Sequence, residues 1–291
     1  MTKVLIIGAG ELGTALAHVL KKKRNLRIER WDKNPSRVRG QRPLAQLVPE
    51  ADFILLCVPS WAMKEALGNI RRWIARKTIA VSFAKGIEHD HGNTMDKVLA
   101  ASLPPHQPFA LVSGHMLAEE LQIGKRGKGL CAATSLRVRA GVIALFRGTS
   151  VSLLPSANVR ALALAGVLKN VYALTLGIAD GLGWNATQKK RLTEKAIKEM
   201  GDVLAKVAKG RTLAESPAGR GDLIATGYSK YSRNRLAGEN LARGRGVDFG
   251  AEGVASLKPL LRLLGKHTAR FPLLTKLKKI VVLKKSPREF F

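Results

Sequence analysis

Residues 3–20 read KVLIIGAGELGTALAHVL, and this stretch decides the fold of the first half of the chain. The run KVLII (3–7) is short and apolar, as is typical of a buried parallel strand. The stretch TALAHVLKKK (14–23) has the apolar spacing of a helix. Between them, residues 8–13 form a GxGxxG sequence in the strand–turn–helix context that lets a backbone approach a pyrophosphate. A dinucleotide-binding βαβ unit is therefore predicted, with a βαβ turn that binds no ligand as the alternative.

The residues after the second predicted strand bear on the kind of dinucleotide. The strand 26–31 ends at Asp32, nineteen residues after Gly13, where an acid holds the hydroxyls of the adenosine ribose. Basic neighbours of Asp32, among them Lys33 and Arg37, would instead suit a 2′-phosphate. The sequence indicates NAD slightly more than NADP and leaves both open.

Further strands are predicted over residues 53–58, 78–83, 109–112 and 150–154, and Pro155 follows the last. Ligands bind at the carboxyl ends of parallel strands, so Lys85 is well placed to meet a phosphate or a carbonyl oxygen. A solvated loop lysine is the alternative. We predict an α/β protein with a doubly wound, Rossmann-like NAD(P)-binding domain over residues 1–154.

The periodicity of residues 155–291 predicts an all-helical domain, and the polar residues within it make it the candidate substrate and catalytic domain. Its first helix, residues 161–183, is almost entirely apolar but carries Lys169 in its middle. Burial disfavours the charged ammonium and suits such a lysine to proton transfer. The alternative is a lysine that extends to solvent while its stem covers apolar surface. Further helices are predicted over 186–209, 236–243, 253–264 and 273–283.

A glycine-rich loop is predicted between two of these helices, from Ser216 to Arg235. It contains the acid Asp222 and a polar cluster, in which Arg233 and Asn234 together are suited to grip a phosphate. The alternative is an ordinary polar connection. Twenty residues is long for a featureless connection, and long loops tend to be functional.

The composition limits the class of protein. The 291 residues include 50 Lys and Arg against 21 Asp and Glu, a net charge of +29 that attracts anionic ligands and surfaces. The basic residues lack interleaved aromatics, which argues against a specific nucleic-acid partner. Cys57 and Cys131 stand in apolar surroundings without metal-ligand spacing, so no metal is expected. We expect no signal peptide, no apolar run that approaches a membrane span, and a cytoplasmic location.

Seven stretches in this order resemble the bacterial-type NAD(P)-dependent glycerol-3-phosphate dehydrogenases. They are GAGELGTALA (8–17), CVPS (57–60), AKGIE (84–88), SGHMLAEE (113–120), LKNVYALTLGIADGLG (168–183), GDLIATGYSKYSRNR (221–235) and AEGV (251–254). The resemblance implies a helical second domain of the 6-phosphogluconate-dehydrogenase-like type, and a homodimer. It also implies an oxidoreductase that uses NAD or NADP for the reversible reduction of dihydroxyacetone phosphate to sn-glycerol 3-phosphate, a step of glycerophospholipid synthesis.

The resemblance also implies the roles of individual residues. Lys169 would be the general acid and base, Lys85 would lie near substrate and nicotinamide, and Asp222 would orient both lysines. The remaining substrate contacts would come from Gly114, Thr226, Ser232, Arg233 and Asn234. The cofactor contacts would come from Gly8, Gly10, Glu11, Leu12, Gly13, Asp32, Lys33, Lys85, Ala118, Arg233 and Glu252.

The chain departs from the family's pattern at a few places. The family usually reads SGP(S/T)FA where this chain has His115 and Met116, so a hydroxyl expected to contact substrate is missing. The segment after Asp32 is short, and Thr187, Glu194 and Lys195 also differ from the pattern. His115 and Met116 leave open a related dehydrogenase for another small phosphorylated ketone or hydroxyacid. The net charge of +29 leaves open a non-enzymatic cofactor-sensing or nucleic-acid-binding protein.

Overall fold

The computed structural model describes residues 1–88, 91–246 and 248–291. They form two compact units. The first comprises Met1–Ala84 and Met95–Leu162, and the second comprises Lys85–Thr94 and Ala163–Phe291. The division thus falls eight residues after the predicted boundary at 154, and the short segment after Ala84 joins the second unit. Nothing in the composition of that segment signals this exchange.

The first unit is built on one seven-stranded sheet with the order β2-β1-β3-β4-β5-β6-β7. Strands β1 to β5 are parallel, and β6 is antiparallel to β5 and parallel to β7. Ile7 pairs with Trp31 on one side and with Leu56 on the other, so three strands end level at one edge. The strands are β1 (Thr2–Ile7), β2 (Leu26–Trp31), β3 (Phe53–Leu56), β4 (Ile79–Ser82), β5 (Phe109–His115), β6 (Gly127–Ala132) and β7 (Val151–Ser156).

Helices cover this sheet, as the predicted doubly wound fold requires. They are α1 (Glu11–Lys21), α2 (Leu44–Glu50), α3 (Met63–Ile70), α4 (Met95–Ser102), α5 (Ala118–Gln122) and α6 (Leu136–Phe146). Leu16 and Leu20 of α1 and Val142 and Phe146 of α6 are buried in one apolar cluster with the inward side chains of the strands. The Rossmann-like fold is confirmed. Strand β6 was not predicted, because the two glycines at the start of GKGLCA weaken its strand signal.

The second unit is helical. Its helices are α7 (Val159–Gly181, whose first turn belongs to the first unit), α8 (Ala186–Ala208), α9 (Asp222–Tyr228), α10 (Arg233–Ala242), α11 (Glu252–Leu264) and α12 (Pro272–Leu277). A Cβ atom at Gly177 would collide with the carbonyl oxygen of Arg235, and one at Gly238 with the carbonyl oxygen of Leu174. The backbones of α7 and α10 are therefore in direct contact, which places the middle of α7 at the centre of the unit.

The prediction of a loop from Ser216 to Arg235 was wrong. A π-helical turn over Pro217–Gly221 leads into α9, and α10 begins at Arg233. The glycines suggested a loop, yet Gly227 lies inside α9 where a Cβ atom would collide with Leu176 of α7. A larger residue there would force the Leu176 side chain to move, so the glycine permits close helix packing, a tertiary feature that local propensity does not reveal.

The expectation that no apolar run approaches a membrane span was also wrong. The helix α7 has 23 residues and a mean hydropathy of 1.6 over its most apolar 18-residue window, enough by length and composition to cross a membrane. All of that window is buried inside the protein, as in the central helix of a folded domain. Burial accounts for its apolar character.

Candidate active site

The glycine-rich turn of the first unit has the geometry of a phosphate cradle. Gly8 has φ 96°, and a Cβ atom there would lie 2.6 Å from the carbonyl oxygen of Cys57. A Cβ atom at Gly13 would collide with the carbonyl oxygen of Gly8. At Gly10 the nearest atom that a Cβ would meet is Nη1 of Arg37, 4.0 Å away. Two of the glycines are thus required for packing, and the third leaves space for a ligand.

The start of α1 contributes backbone donors to this cradle. Glu11 and Leu12 occupy its first turn, after Gly10. Within the described part of the chain, no side chain caps the amides of this turn. Free amides and the positive end of a helix dipole suit a pyrophosphate, so these residues fit the dinucleotide predicted from the sequence.

The contact of Asp32 with a ribose stays a prediction, and the Asp32 carboxylate is also engaged within the protein. Its Oδ2 atom accepts a 2.7 Å hydrogen bond from the Ala9 amide, and its Oδ1 accepts one of 2.9 Å from the Asn34 amide. Arg37 Nη1 lies 3.5 Å from Oδ2, and Asp32 is only 6% exposed. Asp32 therefore fixes the glycine-rich turn, while the Arg37 side chain remains 55% exposed.

One buried carboxylate joins both predicted catalytic lysines in the second unit. Lys169 Nζ lies 3.0 Å from Oδ1 of Asp222, and Lys85 Nζ lies 2.7 Å from Oδ2. Lys169 also donates a 2.9 Å hydrogen bond to Oγ1 of Thr226. Asp222 and Lys169 are 1% and 6% exposed. The alternative in which Lys169 reaches solvent is therefore wrong.

A chain of side-chain amides holds this cluster in position. Asn170 donates a 2.8 Å hydrogen bond to the carbonyl oxygen of Lys85 and accepts one of 2.9 Å from Asn234. Asn234 in turn accepts a 2.7 Å hydrogen bond from the Gly253 amide at the start of α11. The chain thereby links the Lys85 segment to α7, α10 and α11. Asn170 was not among the predicted site residues, although it directly follows Lys169 in the LKNV motif.

The environment tunes Lys169 for proton transfer. Burial lowers its pKa to about 8; attraction from Asp222 opposes that shift, and the nearby Lys85 charge adds to it. Burial alone would raise the pKa of the Asp222 carboxyl, but the two lysines outweigh burial and hold that pKa below its usual range. Asp222 therefore stays ionised, and Lys169 exchanges its proton near neutrality.

The hydrogen bonds of Lys169 leave it able to act on a ligand. A charged ammonium has three N–H donors, and Asp222 and Thr226 accept two of them. Among the described residues, Asp222 and Thr226 are the acceptors recorded for Nζ, which leaves its third donor for an oxygen atom placed beside it. A lysine held in this way can act as a general acid.

The three polar residues at the start of α10 have different roles. Ser232 caps this helix by accepting a 3.2 Å hydrogen bond from the Arg235 amide, and Asn234 is part of the amide chain above. The Arg233 side chain is 65% exposed, with Nη2 3.4 Å from Oδ2 of Asp248. Of the three, Arg233 is the residue that presents charge to solvent. Phosphate contacts by Ser232 and Asn234 stay predictions.

The remaining predicted site residues lie at the ends of elements. Gly114 and Ala118 belong to the end of β5 and the start of α5 in the first unit. Glu252 begins α11 in the second unit, and its charge favours the protonated form of Lys169. Exposed Lys33, one residue after Asp32, pairs with Glu65. Each of these roles toward substrate or cofactor stays a prediction.

The departures at residues 115 and 116 lie within the first unit. Met116 is 7% exposed and is part of the apolar cluster, against Gly127 and Gly129 of β6. His115 Nε2 lies 3.1 Å from Oε2 of Glu120. The Met116 side chain therefore fills the core and does not face solvent.

Comparison with known proteins gives a consistent result along nearly the whole chain. Residues 32–137 and 158–291 match the families described as NAD-dependent glycerol-3-phosphate dehydrogenase N-terminus and C-terminus. A glycerol-3-phosphate dehydrogenase [NAD(P)+] of Fusobacterium nucleatum is 29% identical over 99% of this chain and 95% of its own length. The crystal structure of glycerol-3-phosphate dehydrogenase from Coxiella burnetii has a TM-score of 0.86 and 26% identity, covering 99% of this chain and 97% of that one. The Saccharomyces cerevisiae enzyme shares the fold, with a TM-score of 0.81 and 19% identity over 99% of this chain and 98% of that one.

Proposed function

The chain belongs to the NAD-dependent glycerol-3-phosphate dehydrogenase family, and on this basis we propose that it catalyses the reversible reduction of dihydroxyacetone phosphate to sn-glycerol 3-phosphate. The observation that carries the proposal is the buried Lys169–Asp222–Lys85 cluster. It supplies a proton donor of suitable pKa in a chain whose first unit has a glycine-rich cradle for a dinucleotide.

The cradle fits NAD or NADP, and the residues that would hold the pyrophosphate are Gly8, Gly10, Glu11, Leu12 and Gly13. When bound in its reduced form, the nicotinamide supplies the hydride that reaches the carbonyl carbon. The proposal includes the further cofactor contacts that the resemblance implies, namely Asp32, Lys33, Lys85, Ala118, Arg233 and Glu252.

Lys169 performs the proton transfer in this proposal. As the carbonyl carbon is reduced, Lys169 Nζ gives a proton to the carbonyl oxygen, and in the reverse direction it takes the proton from the hydroxyl. Asp222 Oδ1 and Thr226 Oγ1 fix the direction of the ammonium. Lys85, on the other oxygen of the same carboxylate, adds positive charge where the oxygen becomes negative.

The phosphate of the substrate needs a cation that is not already committed to a buried pair. Arg233 meets this need, because its partner Asp248 is also exposed and the ion pair is open to solvent. We propose that Arg233 binds the phosphate, with Ser232, Asn234 and Gly114 lining the substrate. A homodimer and a cytoplasmic location complete the proposal.

The alternatives receive less support. The motive for a different substrate was the missing hydroxyl at Met116, and the burial of that side chain in an apolar core weakens this motive. A protein that only senses a cofactor has no need of a buried lysine whose pKa is lowered to about 8.

Initial rates with dihydroxyacetone phosphate and with dihydroxyacetone, each with NADH and with NADPH, test the proposal. We expect turnover of the phosphate ester and a much smaller kcat/KM for dihydroxyacetone. Equal rates with the two ketones, or none with the ester, would contradict it.

A further inference from the structure

The last residues of the chain concentrate positive charge. Residues 265–291 contain eight Lys and Arg side chains, and Glu289 is their single acid. Seven of these eight cations are exposed. Five of the seven follow α12, and none of the five forms a salt bridge with a described residue: Lys278, Lys279, Lys284, Lys285 and Arg288. We call this set, with the neighbouring Leu283, the carboxy-terminal basic face.

An ordered scaffold presents this face. The helix α12 continues as a π-helical turn over Lys278–Val282. Leu274, Leu277 and Ile280 turn inward and are buried. The buried Glu199 carboxylate accepts hydrogen bonds of 2.8 and 2.9 Å from the Leu273 and Leu274 amides and fixes the start of α12. The lysines therefore project from a packed segment of the second unit.

Cations of α8 lie beside this segment. Burial lowers the pKa of Lys276, and repulsion from Lys195 of α8 lowers it further. The pKa of His267 is lowered by burial and then by repulsion from Lys206 of α8, ahead of Arg270 and Lys266. Positive charges of α8 thus lie near Lys276 and near His267. An anionic partner would relieve this repulsion.

Apolar groups stand among the lysines and indicate the kind of partner. Leu283 is 56% exposed, directly before Lys284 and Lys285. Exposed aliphatic groups between lysines are typical of surfaces that enter the headgroup boundary of a membrane.

The aromatic rings near these lysines already have partners within the protein. Lys279 lies 4.9 Å over Phe290, and Lys276 lies 4.7 Å over Phe291, which also packs against Trp184. Rings that are occupied in this way offer less open surface for stacking on bases, which disfavours a single-stranded nucleic acid.

We propose that the carboxy-terminal basic face docks the protein reversibly on an anionic phospholipid surface. The lysines contact the headgroups, and Leu283 enters the boundary between headgroups and acyl chains. This inference rests on the charge and exposure of the face and does not depend on the proposed reaction.

Flotation of the full chain with vesicles at physiological ionic strength tests the proposal. We expect binding to vesicles that contain phosphatidylglycerol, little binding to pure phosphatidylcholine, and loss of binding at high salt. The variant K278E/K279E/K284E/K285E should bind phosphatidylglycerol vesicles at least about tenfold more weakly. Leu283→Ser should weaken binding without any change in charge.

A matched control separates the effect of the carboxy-terminal basic face from the effect of the total charge of the protein. The variant K22E/R24E/R71E/R147E makes the same four charge reversals at exposed positions of the first unit and should bind vesicles like the unchanged protein. If the reversal variant of the face does not fold, the corresponding four Lys→Gln substitutions give the same comparison. Equal losses in the face and control variants, no preference for phosphatidylglycerol, or tighter binding to single-stranded RNA than to the vesicles would overturn the proposal.

Discussion

Lys169 and Asp222 form a buried ion pair, with Nζ 3.0 Å from Oδ1. The carboxylate does more than neutralise this lysine, because its second oxygen lies 2.7 Å from Nζ of Lys85. One acid thus orients two cations, and its charge opposes the fall in the pKa of Lys169 that burial causes. The chemistry proposed for the chain depends on this arrangement.

The pH dependence of reduction follows from the pKa of Lys169. Reduction requires the protonated ammonium, so kcat/KM should fall as the pH rises through about 8, and oxidation should gain over the same range. In Asp222→Asn the attraction that raises this pKa is lost, so the fall should move to lower pH. We also expect kcat to drop by about 100-fold or more. Initial rates from pH 6 to 10 measure both effects.

The matched control for this experiment is Asp180→Asn, because Asp180 pairs with the buried Lys189 at 2.7 Å. This substitution removes a half-buried carboxylate outside the cluster and should leave the position of the pH profile unchanged. A profile that shifts equally in both variants would contradict the assignment of the titrating group to Lys169.

Thr226 should position Lys169 without taking part in the proton transfer. Thr226→Val removes the acceptor of a 2.9 Å hydrogen bond at nearly constant volume, and we expect kcat to fall by about tenfold with little change in KM. Thr226→Ser keeps the hydroxyl and should restore most of the rate. A failure of serine to rescue would show that the hydroxyl is not the important group.

Arg233 should act on the phosphate of the substrate. Arg233→Ala should raise the KM for dihydroxyacetone phosphate with a smaller effect on kcat, and should leave the weak reduction of dihydroxyacetone unchanged. Asp248→Ala removes the partner of Arg233 and should not raise this KM. Steady-state kinetics with both ketones make the comparison, and equal losses for the two would refute the phosphate contact.

Arg37 should favour a cofactor with a 2′-phosphate. Its guanidinium is exposed beside Asp32 and Gly10, at the edge of the glycine-rich turn. Arg37→Ala should therefore raise the KM for NADPH more than that for NADH. Asp32→Asn removes the charge that fixes the turn, so it should weaken both cofactors. Equal changes in the two KM values for Arg37→Ala would show that Arg37 does not distinguish them.

The sequence predicted the parts of this account that depend on local pattern. The first strand, the glycine-rich turn and the apolar helix around Lys169 are each visible in a short window of residues, and the resemblance brought Lys85 and Asp222 to the same site. The features that could not be predicted from the sequence depend on contacts between residues far apart along the chain. Gly227 suggested a loop but permits α9 to pack on Leu176, and Asn170 gained its role only through Lys85 and Asn234. The Asp32 carboxylate is held by the Asn34 amide of its own turn and by the Ala9 amide of the glycine-rich turn.

The most direct test of the account is kcat for the reduction of dihydroxyacetone phosphate by Lys169→Ala, measured beside cofactor binding. Lys189→Ala is the matched control, because Lys189 is likewise a buried lysine that pairs with an aspartate in the same unit. We predict that Lys169→Ala lowers kcat by at least about 1,000-fold with nearly unchanged cofactor affinity, and that Lys189→Ala retains most of its turnover. A folded Lys169→Ala variant that keeps more than about a tenth of the rate would show that another group gives the proton.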